Sequence, residues 1–169
     1  MKKILVIGNS GSGKTTFAKT LAEKTNFPLI HLDKLFWCGN WEHVTREEFD
    51  NFLQIELEKE KWIIDGDFSR TMNHRFQYAD TVFYLDFSTF ACLWGATVRV
   101  FKSFGKTRDD MGGNCPEYFD KQKISLYKSI IFYNKVRRKE CYHLISQFTN
   151  KNIIIFKNRR QVKKYIKNL

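Results

Sequence analysis

Eight consecutive residues carry the clearest chemistry in this chain: Gly8-Asn9-Ser10-Gly11-Ser12-Gly13-Lys14-Thr15. They satisfy G-x-x-x-x-G-K-[ST] at every fixed position, after an apolar run and before a helical pattern. Glycines let successive backbone N–H groups turn inward on phosphates, and the start of the following helix adds partial positive charge there. Lys14 would reach the β- and γ-phosphates, and the Thr15 hydroxyl would ligate Mg²⁺. Gly8, Ser10, Gly11, Ser12, Gly13 and Thr16 complete the set of binding candidates. The alternative is a Gly/Ser turn between a strand and a helix. The expected ligands are ATP and Mg²⁺.

Such a loop needs a strand behind it and a sheet to fix that strand. Lys3–Ile7 is the first of five short apolar runs, and the others are Leu29–Leu32, Trp62–Ile64, Thr81–Leu85 and Asn152–Phe156. None alternates with polar residues, which fits strands buried on both faces of a parallel sheet. Helical patterns lie between them. Lys14 to about Lys24 is the first, and Thr45-Arg46-Glu47-Glu48 has the form of a capping box opening a helix to about Lys59. Phe87 to about Lys102, Glu117 to about Phe148 and Arg159–Lys167 follow. Ser103–Pro116 holds three glycines and reads as a mobile loop. Strands alternating with helices predict an α/β fold with right-handed crossovers and a five-stranded parallel sheet covered on both faces.

At 169 residues the chain is expected to form one domain, residues 1–169, with a lid segment at about 99–120. Its 29 basic and 18 acidic side chains give a net charge of +11, which points to an anionic partner. The surplus is uneven: residues 1–98 carry a net −2 and residues 99–169 a net +13. The N-terminal apolar run is too short for a signal peptide, and Asp86 and Arg99 interrupt the most apolar later window. Cys38, Cys92, Cys115 and Cys141 lie far apart with no zinc-ligand spacing, so reduced thiols and a cytoplasmic location are expected, with no membrane partner.

Three aspartates follow strand runs directly: Asp33, Asp65 and Asp86. Such residues face the rim where open α/β sheets bind ligands, although a capping or turn aspartate is common there too. Asp65 is the candidate for holding a Mg²⁺-bound water, and Asp33 for orienting or deprotonating an acceptor hydroxyl. His31 reads as a structural histidine of the strand.

The phosphate loop, His31-Leu32-Asp33 with Trp37 and Trp41, and Trp62 to Thr71 together resemble the P-loop kinases related to adenylate kinase. Ala79 to Asp86, and Arg108-Asp109-Asp110-Met111 with Cys115-Pro116-Glu117, extend the likeness to a group labelled DNA-topology-modulation proteins. The resemblance implies a three-layer α/β/α P-loop NTPase fold with strand order 2-3-1-4-5 and a short helical lid. Asp65-Gly66…Arg70-Thr71 parallels the Asp-Gly-Phe-Pro-Arg-Thr segment of adenylate kinases, with one inserted residue and Ser69 in place of Pro. Arg70 would then grip the acceptor. Arg99 and Arg108 stand where lid arginines are expected, and a planar guanidinium can hold two phosphate oxygens. Trp37 and Trp41 could stack a flat acceptor, or equally anchor the next helix. Arg159 falls where relatives pack the adenine.

The leading expectation is therefore an ATP-dependent kinase acting on a small-molecule acceptor, nucleotide-like or otherwise. The second is an ATP-binding protein acting on DNA. Lys121, Lys128, Lys135 and Lys139 would form one basic stripe on a continuous helix, which is also the look of a solvated face. A GTP-hydrolysing switch is set aside because no Asn-Lys-x-Asp segment follows the fourth strand.

Overall fold

The computed structural model describes residues 1–169, apart from the side chain of Gln122. Five strands, β1 (Lys3–Gly8), β2 (Leu29–His31), β5 (Trp62–Asp65), β6 (Thr81–Leu85) and β7 (Asn152–Phe156), form a parallel sheet in the order β2-β5-β1-β6-β7. This is the 2-3-1-4-5 order of the five apolar runs. Strands β1, β5 and β6 are central and almost wholly buried, which is why their sequences do not alternate.

The pleat divides their side chains between two cores. Leu5, Ile7, Ile64, Val82 and Tyr84 pack under α3 (Arg46–Glu58), α4 (Met72–Tyr78) and α7 (Arg137–Gln147). Ile4, Val6, Ile63, Phe83 and Leu85 pack under α1 (Lys14–Thr25), α5 (Thr89–Lys102), α6 (Lys121–Tyr133) and α8 (Arg159–Lys167). The capping box at Thr45 is present: its hydroxyl accepts from the Glu48 N–H at 3.2 Å, and Glu48 Oε2 accepts from the Thr45 N–H at 2.8 Å. Among the described residues no helix is long and apolar enough to cross a membrane.

Several expectations are corrected. The long helix from Glu117 to Phe148 is two helices, α6 and α7, broken at residues 134–136. The break is needed because α6 buries Ile130 in one core and α7 buries Cys141 in the other, so the chain must cross the end of the sheet. Lys135 lies in that break, and the lysine stripe is interrupted there. The segment from Ser103 to Asp120 contains no helix. It is a loop closed by bridges between Phe104 and Glu117 and between Thr107 and Pro116. Strand β2 ends at His31, so Asp33 lies in the short helix α2 (Leu32–Phe36) and not at a strand end. A hairpin of β3 (Trp37–Gly39) and β4 (Glu42–His43) follows, turning on left-handed Asn40 and Trp41.

Asp86 is structural. Burial alone would raise its carboxyl, but hydrogen bonds from Arg138, Lys157 and Tyr142 hold it below its ordinary value. Tyr142 donates at 2.7 Å and Arg138 Nη2 at 2.9 Å, so one carboxylate ties α7 to the end of β7. Replacing Asp86 by Ala should cost about 2 kcal/mol in urea denaturation, at the modest end for charged hydrogen bonds because Arg138 and Lys157 can rehydrate. The contribution belongs to the ionised form. It is complete above the ordinary carboxyl value of 3.8 and fades as pH falls through the lower folded value.

Candidate active site

The phosphate loop leaves β1 and enters α1 through three glycines with positive φ: Gly8 at 140°, Gly11 at 77° and Gly13 at 96°. Side chains avoid this region, so the loop's path requires glycine. Asn9 fixes it from behind by donating to the Ile130 carbonyl at 3.0 Å, and Lys14 Nζ lies over the loop, 3.0 Å from the Asn9 carbonyl. Beside the loop is a cavity of about 310 Å³ lined by Gly13, Lys14, Thr15, Thr16, Arg99 and Arg108 among others.

Asp65 ends β5 in register with Val6 and meets Thr15, which lines this cavity. Its Oδ2 accepts from the Thr15 hydroxyl at 2.7 Å and lies 3.2 Å from His31 Nδ1, while Oδ1 is buried with no hydrogen-bond partner among the described residues. Asp110 from the lid loop also approaches Thr15, at 3.3 Å. No compact group of three or more His, Cys, Asp or Glu side chains forms a dedicated cage among the described residues. A hydroxyl, a carboxylate and an open oxygen fit Mg²⁺ carried in on phosphates, the usual way proteins hold that ion.

A second, smaller cavity of about 190 Å³ adjoins the loop at Ser10. Asp33, Trp37, Trp41, Arg99, Arg108 and Lys123 line it. The Asp33 carboxylate makes no hydrogen bond to the described residues, and enclosure by protein raises its carboxyl above the ordinary value; Arg108 opposes this, and Asp65 and Asp110 add to it. Trp41 adopts φ 59°, an uncommon conformation for a bulky side chain. Its backbone N–H donates to Cys115 Sγ, its indole donates to the Pro116 carbonyl at 3.1 Å, and the Lys123 ammonium sits 4.5 Å from its ring. The loop at residues 103–120 therefore rests on the hairpin. Gly112 touches it so closely that a Cβ there would lie 1.9 Å from the Trp37 carbonyl oxygen.

The cations divide sharply. Arg108 pairs with Asp110 at 3.2 Å and with buried Glu117 at 3.1 Å, and Glu117 also pairs with Lys123. Arg99 has no ion-pair partner among the described residues; its Nε makes no hydrogen bond, and burial and then Arg108 lower its proton affinity. Arg99 lines both cavities.

Arg159 donates to the Ala91 carbonyl at 3.1 Å and lies 5.9 Å from the Phe87 ring centroid. It lines a third cavity of about 260 Å³ with Gly13, Thr16, Phe87 and Val162. Arg70 is not brought to these cavities. It forms a two-pronged ion pair with Asp50, at 2.6 and 2.8 Å, and lines a separate pocket with Phe36 and Phe49. The arginine of this segment that turns inward is Arg75, fully buried and donating to the Gly66, Asp67 and Phe68 carbonyls; burial lowers it to about 10.

Sequence reasoning assigned no role to Gly95, Asp110 or Glu117. Gly95 had a signal, a glycine inside a helix. A Cβ there would lie 2.1 Å from the Gly11 carbonyl oxygen and 2.7 Å from Arg159. Gly95→Ala must push α5 off the phosphate loop. The strain of about 1–3 kcal/mol should weaken binding of an ATP analogue by about 5- to 150-fold in calorimetric titration.

Comparison with known proteins agrees with this architecture. Residues 4–65, which hold the phosphate loop and Asp65, match the family model "ATPase family associated with various cellular activities (AAA)". No curated protein matches the chain. Among solved structures, an unliganded sugar kinase from Janibacter sp. is 16% identical with a TM-score of 0.56, covering 99% of this chain and 91% of its own. Shikimate kinase from Bacteroides thetaiotaomicron is 18% identical, TM-score 0.55, covering 98% and 94%. Shikimate kinase from Acinetobacter baumannii, in complex with shikimate, is 13% identical, TM-score 0.57, covering 99% and 90%. At these identities the likeness is one of fold: the chain has the three-layer α/β/α architecture of the P-loop NTPases.

Proposed function

We propose that this protein is an ATP- and Mg²⁺-dependent kinase that transfers the γ-phosphoryl group to a hydroxyl of a small-molecule acceptor. One observation carries the reading: Arg99 and Arg108 line both the phosphate-loop cavity and the adjoining cavity that holds Asp33. Two substrates seated in these cavities would meet beneath the same pair of guanidinium groups. Phosphoryl transfer asks for little beyond such positioning and charge neutralisation. The kinase neighbours of the same fold support it.

In this reading Gly8 to Thr16 cradle the triphosphate, Lys14 neutralises its β- and γ-oxygens, and Thr15 and Asp65 would hold Mg²⁺. Bound Mg²⁺ supplies charge withdrawal from the leaving diphosphate. Arg159 with Phe87 and Val162 encloses the base. Asp33 takes the proton of the acceptor hydroxyl, Arg99 meets the charge on the transferred group, and Trp37 and Trp41 wall the acceptor. Arg108 is held by Asp110 and Glu117, so it keeps its place before substrate arrives.

ADP release from ATP–Mg²⁺, measured across hydroxyl-bearing metabolites grouped by charge, tests the reading. Turnover with one acceptor class is the expected result, and no acceptor-dependent release from any class refutes it. The DNA-binding alternative rests on the net +13 of residues 99–169 and on exposed Arg160, Lys163, Lys164 and Lys167 of α8. It requires duplex binding that falls steeply with salt, so a flat titration rejects it.

A further inference from the structure

The outer face of the α5–α6 pair is unusually apolar. Phe90, Trp94, Thr97 and Phe101 form one row along α5, and Ile124, Tyr127 and Ile131 form another along α6. The rows meet where the Thr97 and Tyr127 hydroxyls hydrogen-bond at 3.0 Å. The helices run antiparallel, since Asn134 at the end of α6 donates to Thr89 at the start of α5. The lid loop continues the face: the Phe101 and Phe119 rings are 5.4 Å apart, and Phe104 touches both Phe119 and Tyr118.

Phe90 is 79% exposed, Phe101 67% and Trp94 60%. With Phe104, Tyr118 and Phe119 about half exposed, and about 200 Å² per aromatic side chain, the six expose about 700 Å² before the isoleucines are added. A soluble monomer's largest apolar patch is about 300–600 Å². A standard protein interface buries about 800 Å² on each partner.

We propose that this face pairs with a second copy of the same chain across a two-fold axis through α5. Two features favour a self-contact. The spacings along the α5 row are 4, 3 and 4, so the row reads alike in both directions. Antiparallel pairing sets each Phe90 against the partner's Phe101 and each Trp94 against the partner's Thr97, the self-complementarity a two-fold interface requires. Second, α5 carries no charged residue before Arg99, which faces the catalytic cavities. Exposed Lys121 and Lys128 flank the Ile124–Ile131 row on the side away from α5. The centre is thus apolar and the cations fall at the rim, the usual arrangement of an interface.

Sedimentation velocity tests the pairing. At about 100 µM the wild type should sediment at twice the 20.2 kDa chain mass, and dissociate on dilution. Each copy carries +11, so raising NaCl to about 0.5 M should tighten the dimer by screening the rim lysines. Trp94→Lys should give a monomer with unchanged far-UV circular dichroism. Ile55→Lys, at an exposed position of α3 on the opposite layer, should leave the dimer intact. A wild type that is monomeric throughout overturns the proposal, as does a Trp94→Lys dimer as tight as wild type. A complex that weakens with salt, or a monomer that binds anionic vesicles or an acidic helix through this face, would assign the face to another occupant and overturn it equally.

Discussion

Replacing Arg99 by Ala should lower kcat by about 10²- to 10³-fold, the usual loss when one preorganised charge aimed at the transition state is removed. The acceptor's KM should change far less. The same substitution should leave Tm unchanged or raise it. Arg99 has no ion-pair partner among the described residues, and burial and the neighbouring Arg108 both work against its charge. Glu117, Asp110 and Asp33 offset this only in part; a half-buried cation so placed lowers stability, and a fold keeps one where an incoming anion will complete it. Arg108 differs, because Asp110 and Glu117 already balance it, so Arg108→Ala should lower Tm by stranding Glu117 beside Lys123 alone. Arg99→Lys should recover part of the rate but not all of it, since an ammonium keeps the charge and loses the planar fork. Steady-state kinetics beside thermal unfolding separates these effects. An unchanged kcat in Arg99→Ala would remove Arg99 from the reaction.

What could be read from the sequence was what is local. The phosphate loop is contiguous, and its glycines are required by the backbone path they take, so eight residues suffice to place it. The strands were legible because burial on both faces leaves unbroken apolar runs. Asp33 lies in the smaller cavity beside Ser10 although its strand ends two residues earlier, because α2 begins at Leu32 and keeps the side chain at the sheet's rim. The rest depends on distant partners. Asp110 meets Thr15 across 95 positions of sequence, and Glu117 acquires meaning only between Arg108 and Lys123. The left-handed Trp41 opposes local preference and is held by lid contacts more than 70 residues away. Helical periodicity runs on through residues 134–136, so the break between α6 and α7 is visible only once the sheet has two faces to cover. Arg70 shows the reverse error: a local motif parallel suggested a contact, and Asp50 on α3 takes the side chain elsewhere.

Asp33→Asn should reduce kcat by about 10²- to 10⁴-fold, the range for removal of a general base, with little change in ATP affinity. The introduced amide keeps the shape and can still accept a hydrogen bond through its oxygen, so it preserves orientation of the acceptor hydroxyl and removes only the capacity to take its proton. The pH profile gives the role a signature. Enclosure raises the Asp33 carboxyl above its ordinary 3.8, against the pull of Arg108 and with the push of Asp65 and Asp110. In the proposed mechanism the ionised form is the active one, so kcat/KM should rise with pH through this raised value, and the acid limb should lie above the usual carboxylate range. Removing Arg108's pull should move that limb further up, whereas Asp110→Asn should move it down. In Asp33→Asn the limb should vanish while the residual rate persists, because in the proposed mechanism Lys14, Arg99 and the phosphate loop still position and neutralise the triphosphate. Should the Asp33→Asn variant retain near wild-type kcat with the limb unshifted, Asp33 orients the acceptor without taking its proton, and the base must be sought among the other groups of the cavity.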